Sequence, residues 1–384
     1  MDRRIGVVGI SRRGLIGAGA GLGVAVLLAG CGKGGSDGAA AKAQLVDLRQ
    51  RNLTPRVTPA KLSIDDGRYL VALSLIHPDP VSTLAAWSGD VQRLGKETYD
   101  AYVKRFPALA TLATVPPSNL PFQVEPVLAA RPDVALVSLG SGPSDAQVAQ
   151  LEGAGVSVAF IDFFSHPIEN QAASLTLLGA LTGRGEQAAA YNAFRKERLD
   201  RISARLKGLP DAERPSVFME PHAGLNPDCC NSPGSGNVGD YIAFVGGRNI
   251  GADQIKQPFG KLSLEYVISR DPDIYIATGG PHLAKAGGFV VGPGFTAEQS
   301  QAGLRHVIAR NGISTLRAVR EKRVHGLSHQ MLNSPIDVVA VEVLAKWLHP
   351  DRFGDLDPAA TLAEINSRFL AVPYDGSYWA DLAA

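Results

Sequence analysis

Short continuous runs of apolar residues, each ending at glycine, proline or polar residues, recur from about residue 60 to residue 348. Such runs are typical of parallel strands that are covered on both faces of a sheet. The pattern therefore predicts an α/β protein with buried strands at residues 69–76, 134–138, 156–161, 216–219, 274–278 and 323–327.

One stretch of the sequence occurs twice. Residues 125–136 and 265–276 align without a gap at an offset of 140 residues, and each contains a glutamate, a short helical segment, a proline and an apolar run. Pro132 and Pro272 disfavour helical geometry in the residue before them, so each helix is predicted to end there. The repetition predicts two α/β lobes of the same design.

A long helix is predicted between these lobes. Residues 184–208 contain no proline, and no glycine lies between Gly185 and Gly208. At ~1.5 Å per residue this helix would span roughly 35 Å, about the width of a small domain. We therefore predict two doubly wound, Rossmann-like lobes joined by a single long bracing helix. The predicted segments are an export signal at 1–31, a tether at 32–59, a first lobe at 60–182, a linking helix at 183–211, a second lobe at 212–348 and a C-terminal helical tail at 349–384.

Composition narrows the possible functions. A chain of 384 residues exceeds what one hydrophobic core usually organises, which agrees with two lobes. The 38 Lys and Arg residues against 37 Asp and Glu residues give a formal charge of +1, so no broad positive field favours nucleic acid as a partner. Within the two predicted lobes the sequence contains neither the Gly-x-Ser-x-Gly nor the His-Glu-x-x-His motif of hydrolases, and we expect no enzyme activity.

The N-terminus has the features of an export segment. Residues 11–15 (Ser-Arg-Arg-Gly-Leu) resemble a twin-arginine signal, and residues 27–31 (Leu-Leu-Ala-Gly-Cys) resemble the lipobox of bacterial lipoproteins. The apolar stretch between them is rich in glycine and falls short of the ~20 apolar residues of a membrane span. We expect lipidation of Cys31, a flexible tether after it and a membrane-anchored, periplasmic protein.

Several motifs together resemble the class III substrate-binding proteins of ABC importers for iron siderophores and vitamin B12. They are the repeated Glu-x-x-[Leu/Ile]-x-x-x-Pro-Asp element, the bracing helix, residues 246–250 (Gly-Gly-Arg-Asn-Ile), residues 278–281 (Thr-Gly-Gly-Pro) and residues 333–337 (Asn-Ser-Pro-Ile-Asp). The resemblance implies a ligand cleft between the lobes and partner permease and ATPase subunits. It also implies that Glu125 and Glu265 dock on permease arginines. Both glutamates would alternatively suit a helix N-terminus, where they favour the helix dipole.

Ligands of open α/β sheets bind beyond the carboxyl ends of the strands, so residues after the predicted strands are the candidates for the cleft. We expect ligand contacts from a set of histidine, aromatic, cysteine and polar residues: His77, Trp87, Ser141, Phe163, Phe164, His222, Cys229, Cys230, His282, His329 and Gln330. The adjacent cysteines are compatible with a vicinal disulfide or with two thiols. No histidine pair has a convincing metal-ligand spacing, so no preformed metal site is expected.

We therefore expect a carrier with no permanently bound cofactor, which captures a ferric siderophore or related metal chelate. Heme or cobalamin, and a free metal ion held by the cleft histidines, are alternatives, and a non-transport interaction module is a rival of another class. Few basic residues fall in the predicted cleft loops, which favours a neutral hydroxamate or corrinoid over a strongly anionic catecholate.

Overall fold

The first lobe is a parallel five-stranded sheet with helices on both faces. The computed structural model describes residues 45–382, without the side chains of Gln92 and Arg93. The predicted export signal and the predicted lipidation of Cys31 therefore lie outside the described residues. The lobe contains β1 (Leu45–Val46), β2 (Asn52–Leu53), β3 (Leu62–Ile64), α1 (Tyr69–Ile76), β4 (Leu84–Trp87), α2 (Lys96–Arg105), β5 (Ala113–Thr114), α3 (Val124–Ala130), β6 (Val134–Ser138), α4 (Asp145–Gly153), β7 (Ser157–Ile161) and α5 (Pro167–Thr182). The sheet order is β5-β4-β3-β6-β7.

The linking helix α6 (Gly185–Leu206) follows directly. Gly183 ends α5 in the left-handed conformation, with φ +70°, and the chain then turns into α6. One face of α6 is apolar and buried, with Ala188, Tyr191, Phe194, Leu199, Ile202 and Leu206 packed into the core that both lobes share. The predicted bracing helix is therefore present, and its buried face stabilises it over its whole length.

The second lobe contains another five-stranded sheet, of order β10-β8-β12-β13-β14, in which only β14 runs antiparallel to its neighbour. Its elements are β8 (Ser216–Glu220), β9 (Asn231–Pro233), α7 (Val238–Phe244), β10 (Arg248–Asn249), β11 (Phe259–Lys261), α8 (Leu264–Arg270), β12 (Ile274–Gly279), α9 (Ala297–Ile308), α10 (Arg317–Arg320), β13 (Val324–Ser328), α11 (His329–Leu332), α12 (Val338–Leu348), α13 (Pro350–Phe353), α14 (Pro358–Arg368) and β14 (Trp379–Asp381). None of the helices between residues 45 and 382 combines the length and apolarity that crossing a bilayer requires.

The internal repeat has the predicted structure. Helices α3 and α8 both end at a residue in the left-handed conformation, Arg131 (φ 53°) and Asp271 (φ 37°), directly before the prolines. The strands that follow, β6 and β12, are buried along their whole length. The two-lobe α/β fold expected from the sequence is confirmed.

The strand prediction for residues 69–76 is wrong, because this segment is helix α1. All eight of its residues are buried, so apolar side chains surround the helix and its sequence shows no polar face. A short, fully apolar run cannot be assigned to strand or helix from periodicity alone. The strand of this part of the sheet is instead β3, which lies just before it.

Two segment predictions also need correction. Residues 45–59, predicted as tether, include the β1–β2 hairpin, which Asp47 ties to the lobe by accepting a hydrogen bond from the amide of Phe160. The predicted helical tail ends in a strand, β14, which pairs with β13 at the edge of the second sheet. Before reaching it, the tail crosses the first lobe, where the amide of Ala371 donates to the carbonyl of Ser74 at 2.9 Å.

A buried ion pair links α6 to the segment before α12. Nε and Nη2 of Arg195 donate to the two carboxylate oxygens of Asp337 at 2.9 and 2.7 Å, and both residues are buried. Asp337 also accepts from Tyr241 of α7 at 3.0 Å and from Gln171 of α5 at 3.2 Å. We call these four residues the Asp337 network; it joins helices of both lobes.

Replacing Arg195 by Met should reduce the free energy of unfolding by about 3–5 kcal/mol, because it leaves the Asp337 carboxylate buried without its cation. The control is Lys196→Met on the same helix, where the exposed Lys196–Asp200 pair contributes less than about 0.5 kcal/mol. Urea denaturation of both variants measures the difference. Equal and small losses would contradict the importance of the buried pair.

Candidate functional site

The second lobe brings three strand ends together at one edge of its sheet. Strand β8 lies beside β12, and β13 follows on the other side of β12. The chain continues from these strands into His222, His282 and His329, respectively. The sheet order reverses direction at the β8–β12 pair, and ligands of open α/β sheets bind in the crevice beyond such a point.

The three histidines are in contact, and we call them the histidine cluster (His222, His282 and His329). Nδ1 of His222 lies 2.9 Å from Nε2 of His282, so one ring nitrogen donates to the other. The ring centroids of His222 and His329 are 4.0 Å apart. His282 is exposed, His222 is half-buried and His329 is buried, so the cluster leads from the surface into the protein.

His329 is fixed by hydrogen bonds on both ring nitrogens. Its Nε2 lies 3.1 Å from Nδ2 of Asn333, and its Nδ1 lies 2.9 Å from Oγ1 of Thr278. Oδ1 of Asn333 accepts from Asn237 at 2.9 Å, which orients the Asn333 amide to donate to His329. His329 is therefore held in place by its neighbours, while His222 and His282 lie nearer the surface.

Two members of the cluster, His222 and His329, are uncharged near neutral pH. Burial, and secondly the neighbouring His282, lower the pKa of His222 to about 4. Burial, and then electrostatic interaction with His222, His282 and Arg68, lower the pKa of His329 well below its usual value. Neutral imidazoles keep a lone pair available, which suits coordination of a metal rather than attraction of an anion.

The first lobe presents a charged pair across from the cluster. The guanidinium of Arg68, just before α1, lies 3.5 Å above the ring of Phe164 and forms a two-pronged ion pair with Asp66. Its Nη1 donates to the carbonyl of Asn333 in the second lobe at 3.3 Å. Asn333 also contacts His329, and we call the place where Arg68, Asn333 and His329 meet the interlobe seam.

A second acidic group lies beneath this pair. Asp65 follows β3 and accepts hydrogen bonds from the amide and the hydroxyl of Ser138 at the end of β6. Burial raises the pKa of Asp65 to about 7. Its carboxyl group joins the ends of the two central strands of the first lobe and so fixes the turn that carries Asp66 and Arg68.

Four of the predicted ligand residues are placed elsewhere. His77 follows helix α1 rather than a strand, and it lies at the opposite end of that helix from Arg68. Burial, and then the charge of Arg184, lower the pKa of His77. Trp87 and Phe163 are buried in the core, Trp87 against Tyr99 and Phe163 against Tyr69. Ser141 is exposed in the turn after β6, and no contact among the described residues links it to the cluster.

The remaining predicted residues lie nearer the cluster. Phe164 stacks under Arg68, and Gln330 is half-buried directly after His329. Cys229 and Cys230 are joined as a vicinal disulfide, with Cys230 buried in the core of the second lobe. The side chain of the next residue, Asn231, donates to the carbonyl of Pro221, so this loop borders the turn that carries His222.

Sequence reasoning missed several residues of the site. Arg68 directly precedes residues 69–76, which the sequence predicts as a strand, so it is not among the residues predicted after a strand end. The Asp-Asp-Gly-Arg turn at residues 65–68 marks the end of β3. Phe259 is 41% exposed, with its ring centroid 6.3 Å from that of His329. Thr278 and Asn333 belong to motifs that were noticed for the family resemblance, without a role. No three His, Cys, Asp or Glu side chains between residues 45 and 382 are arranged to hold a metal ion.

Glu125 and Glu265 occupy equivalent positions in the two lobes. Each is the second residue of its helix, α3 or α8, and each is exposed. Val127 of α3 and Val267 of α8 each belong to the same buried cluster as the strand that follows, β6 or β12. Both residues also suit the helix dipole.

The lowered pKa of His222 predicts a pH-dependent stability difference. As the pH falls below about 6.5, the unfolded chain takes up a proton at this residue before the folded one, so the folded state is disfavoured down to about pH 4. Asp65 contributes the opposite slope, so the informative quantity is the difference between variants. The stability of His222→Gln relative to wild type, from urea denaturation, should rise as the pH falls from 6.5 to 4.

His306→Gln removes an exposed histidine of α9 and is the control, which should follow the wild-type curve. A constant difference between His222→Gln and wild type across this pH range would show that His222 is not held neutral by its surroundings.

Comparison with known proteins agrees with this architecture. The family model described as periplasmic binding protein matches residues 73–331. The TroA-like periplasmic binding protein FepB from Veillonella parvula is 25% identical, with a TM-score of 0.78 over 88% of this chain and 99% of that one. The Helicobacter pylori protein CeuE with Ni(II) bound is 16% identical, with a TM-score of 0.60 over 85% and 96%. A periplasmic heme binding protein from Pseudomonas aeruginosa is 21% identical, with a TM-score of 0.52 over 76% and 92%.

The two similarities below 25% identity bear on the fold alone. The family match covers well over half of the chain, and its members are binding proteins rather than enzymes. The two α/β lobes agree with this match. The chain belongs to the periplasmic binding protein family.

Proposed function

We propose that this protein is the substrate-binding component of an ABC importer and carries a ferric siderophore or a related metal chelate between its lobes. The observation that supports the proposal is the pair of neighbouring imidazoles, His222 and His282, at the carboxyl edge of the second sheet. The third histidine, His329, is held by Thr278 and Asn333 and supports the pair from below.

The number of available donors favours a chelate over a bare ion. A protein site for a bare transition metal commonly supplies three or four ligands. His222 and His282 supply two, and no third His, Cys, Asp or Glu completes a metal-binding group within residues 45–382. A chelate that leaves one or two positions open on its metal brings the other donors itself, so one or two imidazoles are enough to complete that metal's coordination.

A planar macrocycle is the second candidate, and Phe259 is the observation in its favour. This exposed ring lies beside His329, so an apolar face and an imidazole are offered on the same side of the seam. That combination suits heme, in which a flat ring system carries an iron with axial positions open to an imidazole, and the flat corrin ring of cobalamin. The heme-binding relative named above has the same fold.

Binding can be tested with a panel of probes: ferrichrome, ferric citrate, hemin, cyanocobalamin, Zn²⁺ and Ni²⁺. Tryptophan fluorescence should be quenched saturably by a ferric chelate, and His222→Ala should weaken that binding at least about tenfold, because it removes a metal ligand. His306→Ala is the matched control and should bind as wild type does. Tighter binding of Zn²⁺ or Ni²⁺ than of any chelate would contradict the proposal, and saturation by hemin or cobalamin alone would favour the macrocycle.

We further propose that Glu125 and Glu265 dock the loaded protein on the permease, each through an arginine of one permease half. Their support is the equivalent, exposed position in the two lobes, since rim charges of this kind set the orientation and rate of association.

Sequence features also support a lipid anchor at Cys31, which metabolic labelling with a fatty acid tests in wild type and Cys31→Ser.

The docking proposal predicts that Glu125→Ala with Glu265→Ala abolishes chelate uptake in cells while the purified protein binds its chelate with unchanged affinity. The control is Glu169→Ala with Glu298→Ala, which removes one exposed glutamate per lobe from the first turns of α5 and α9. This control matches the charge and the helix position. Normal uptake by the first double variant, or equal losses in both, would rule out docking through these two residues.

A further inference from the structure

We propose that Arg68 is the residue that selects for charge in the ligand, by donating to an anionic oxygen at the edge of the bound chelate. The inference rests on the proposed function and deepens it, since it assigns a chemical class to the ligand. It also reverses the expectation from the sequence that a neutral chelate is favoured.

The guanidinium of Arg68 is held rigidly on one side. Nε and Nη2 donate to the two oxygens of Asp66 at 2.9 and 2.6 Å, and the backbone amide of Arg68 donates to the same carboxylate at 2.9 Å. One face of the guanidinium lies on Phe164, whose ring is itself stacked on Tyr69 with an interplanar angle of 1°. The cation is thus fixed before any ligand arrives, so little rotamer freedom is lost on binding.

The remaining side of the guanidinium faces the second lobe. Nη1 donates to the carbonyl of Asn333 at 3.3 Å, a long bond compared with those to Asp66. The same Asn333 donates its side-chain amide to His329. Nη1 therefore lies at the interlobe seam beside the histidine cluster, and a ligand oxygen that reaches the seam offers it a stronger, charge-assisted acceptor than a carbonyl.

The charges around the seam make Arg68 decisive. Arg68 supplies a permanent positive charge beside the histidine cluster, to which Asn333 connects it. Asp66 neutralises part of that charge, which disfavours unspecific anions and leaves the directed donor Nη1. A chelate whose metal meets the imidazoles and whose free carboxylate or other anionic oxygen meets Nη1 fits this arrangement.

Arg68→Gln and Arg68→Lys test the proposal with ferric citrate and hemin, which carry free carboxylates, and with ferrichrome, which carries none. Arg68→Gln should weaken the binding of the carboxylate-bearing probe roughly 10- to 100-fold and flatten the dependence of its affinity on salt. Arg68→Lys should restore only part of the affinity, because Lys lacks the fork that Asp66 holds. Ferrichrome should bind both variants within about threefold of wild type.

Arg198→Gln is the matched control. Arg198 also lies 3.5 Å over a phenylalanine ring, that of Phe194, and pairs with Glu364 at 2.6 Å, but it is on α6. It should change thermal stability and leave every affinity unchanged. Tightest binding of ferrichrome by wild type, or an equal loss of all probes in Arg68→Gln, would overturn the role of Arg68. Neither result would contradict the proposed function. The proposed function is contradicted if His222→Ala binds every chelate as wild type does.

Discussion

The buried pair between Arg195 and Asp337 fixes the geometry on which the site depends. Asp337 accepts from helices of both lobes, and the residues just before it in the chain are the ones that reach the seam. Asn333, four residues before Asp337, meets Arg68 of one lobe and His329 of the other. An ion pair of this kind stabilises little by itself, since desolvation offsets its attraction, but it strongly disfavours arrangements in which either partner is left alone. It therefore acts by specifying one relative placement of the lobes.

Other contacts also hold the two lobes in one relative placement. Gly95 of the first lobe has φ +130° and approaches so closely that a Cβ there would lie 3.3 Å from Pro281, beside His282. Near Asn333, the amide of Asn237 donates to the carbonyl of Ser165 at 2.7 Å, and the C-terminal segment crosses from Ser74 to the second sheet. With α6 as a brace, these contacts favour small rearrangements on binding over wide domain closure. A carrier of this kind recognises its ligand by groups that are already in place.

Much of the architecture could be predicted from the sequence, because it follows from local rules. The strand at Val134–Ser138, the helix ends before Pro132 and Pro272 and the long helix depend on apolar runs and proline geometry within a few residues. The helix at Tyr69–Ile76 could not, since burial on every side removes the periodicity. Arg68 and Asn333 meet across 265 positions of sequence, and neither propensity nor spacing reports such a contact. The three histidines could be predicted because each follows the end of a strand, which is a local feature of the sequence. The hydrogen bonds of His329 with Thr278 and Asn333 depend on the tertiary fold.

The central claim is that His222 and His282 complete the coordination of a chelated metal at the seam. Anomalous scattering at the iron edge, from crystals grown with the ferric chelate that binds tightest, locates that metal directly. The account predicts an iron peak between the lobes, about 2.0–2.2 Å from a ring nitrogen of His222 or His282. An iron peak at the seam with no imidazole nitrogen within about 3 Å, or a peak outside the seam, would contradict it.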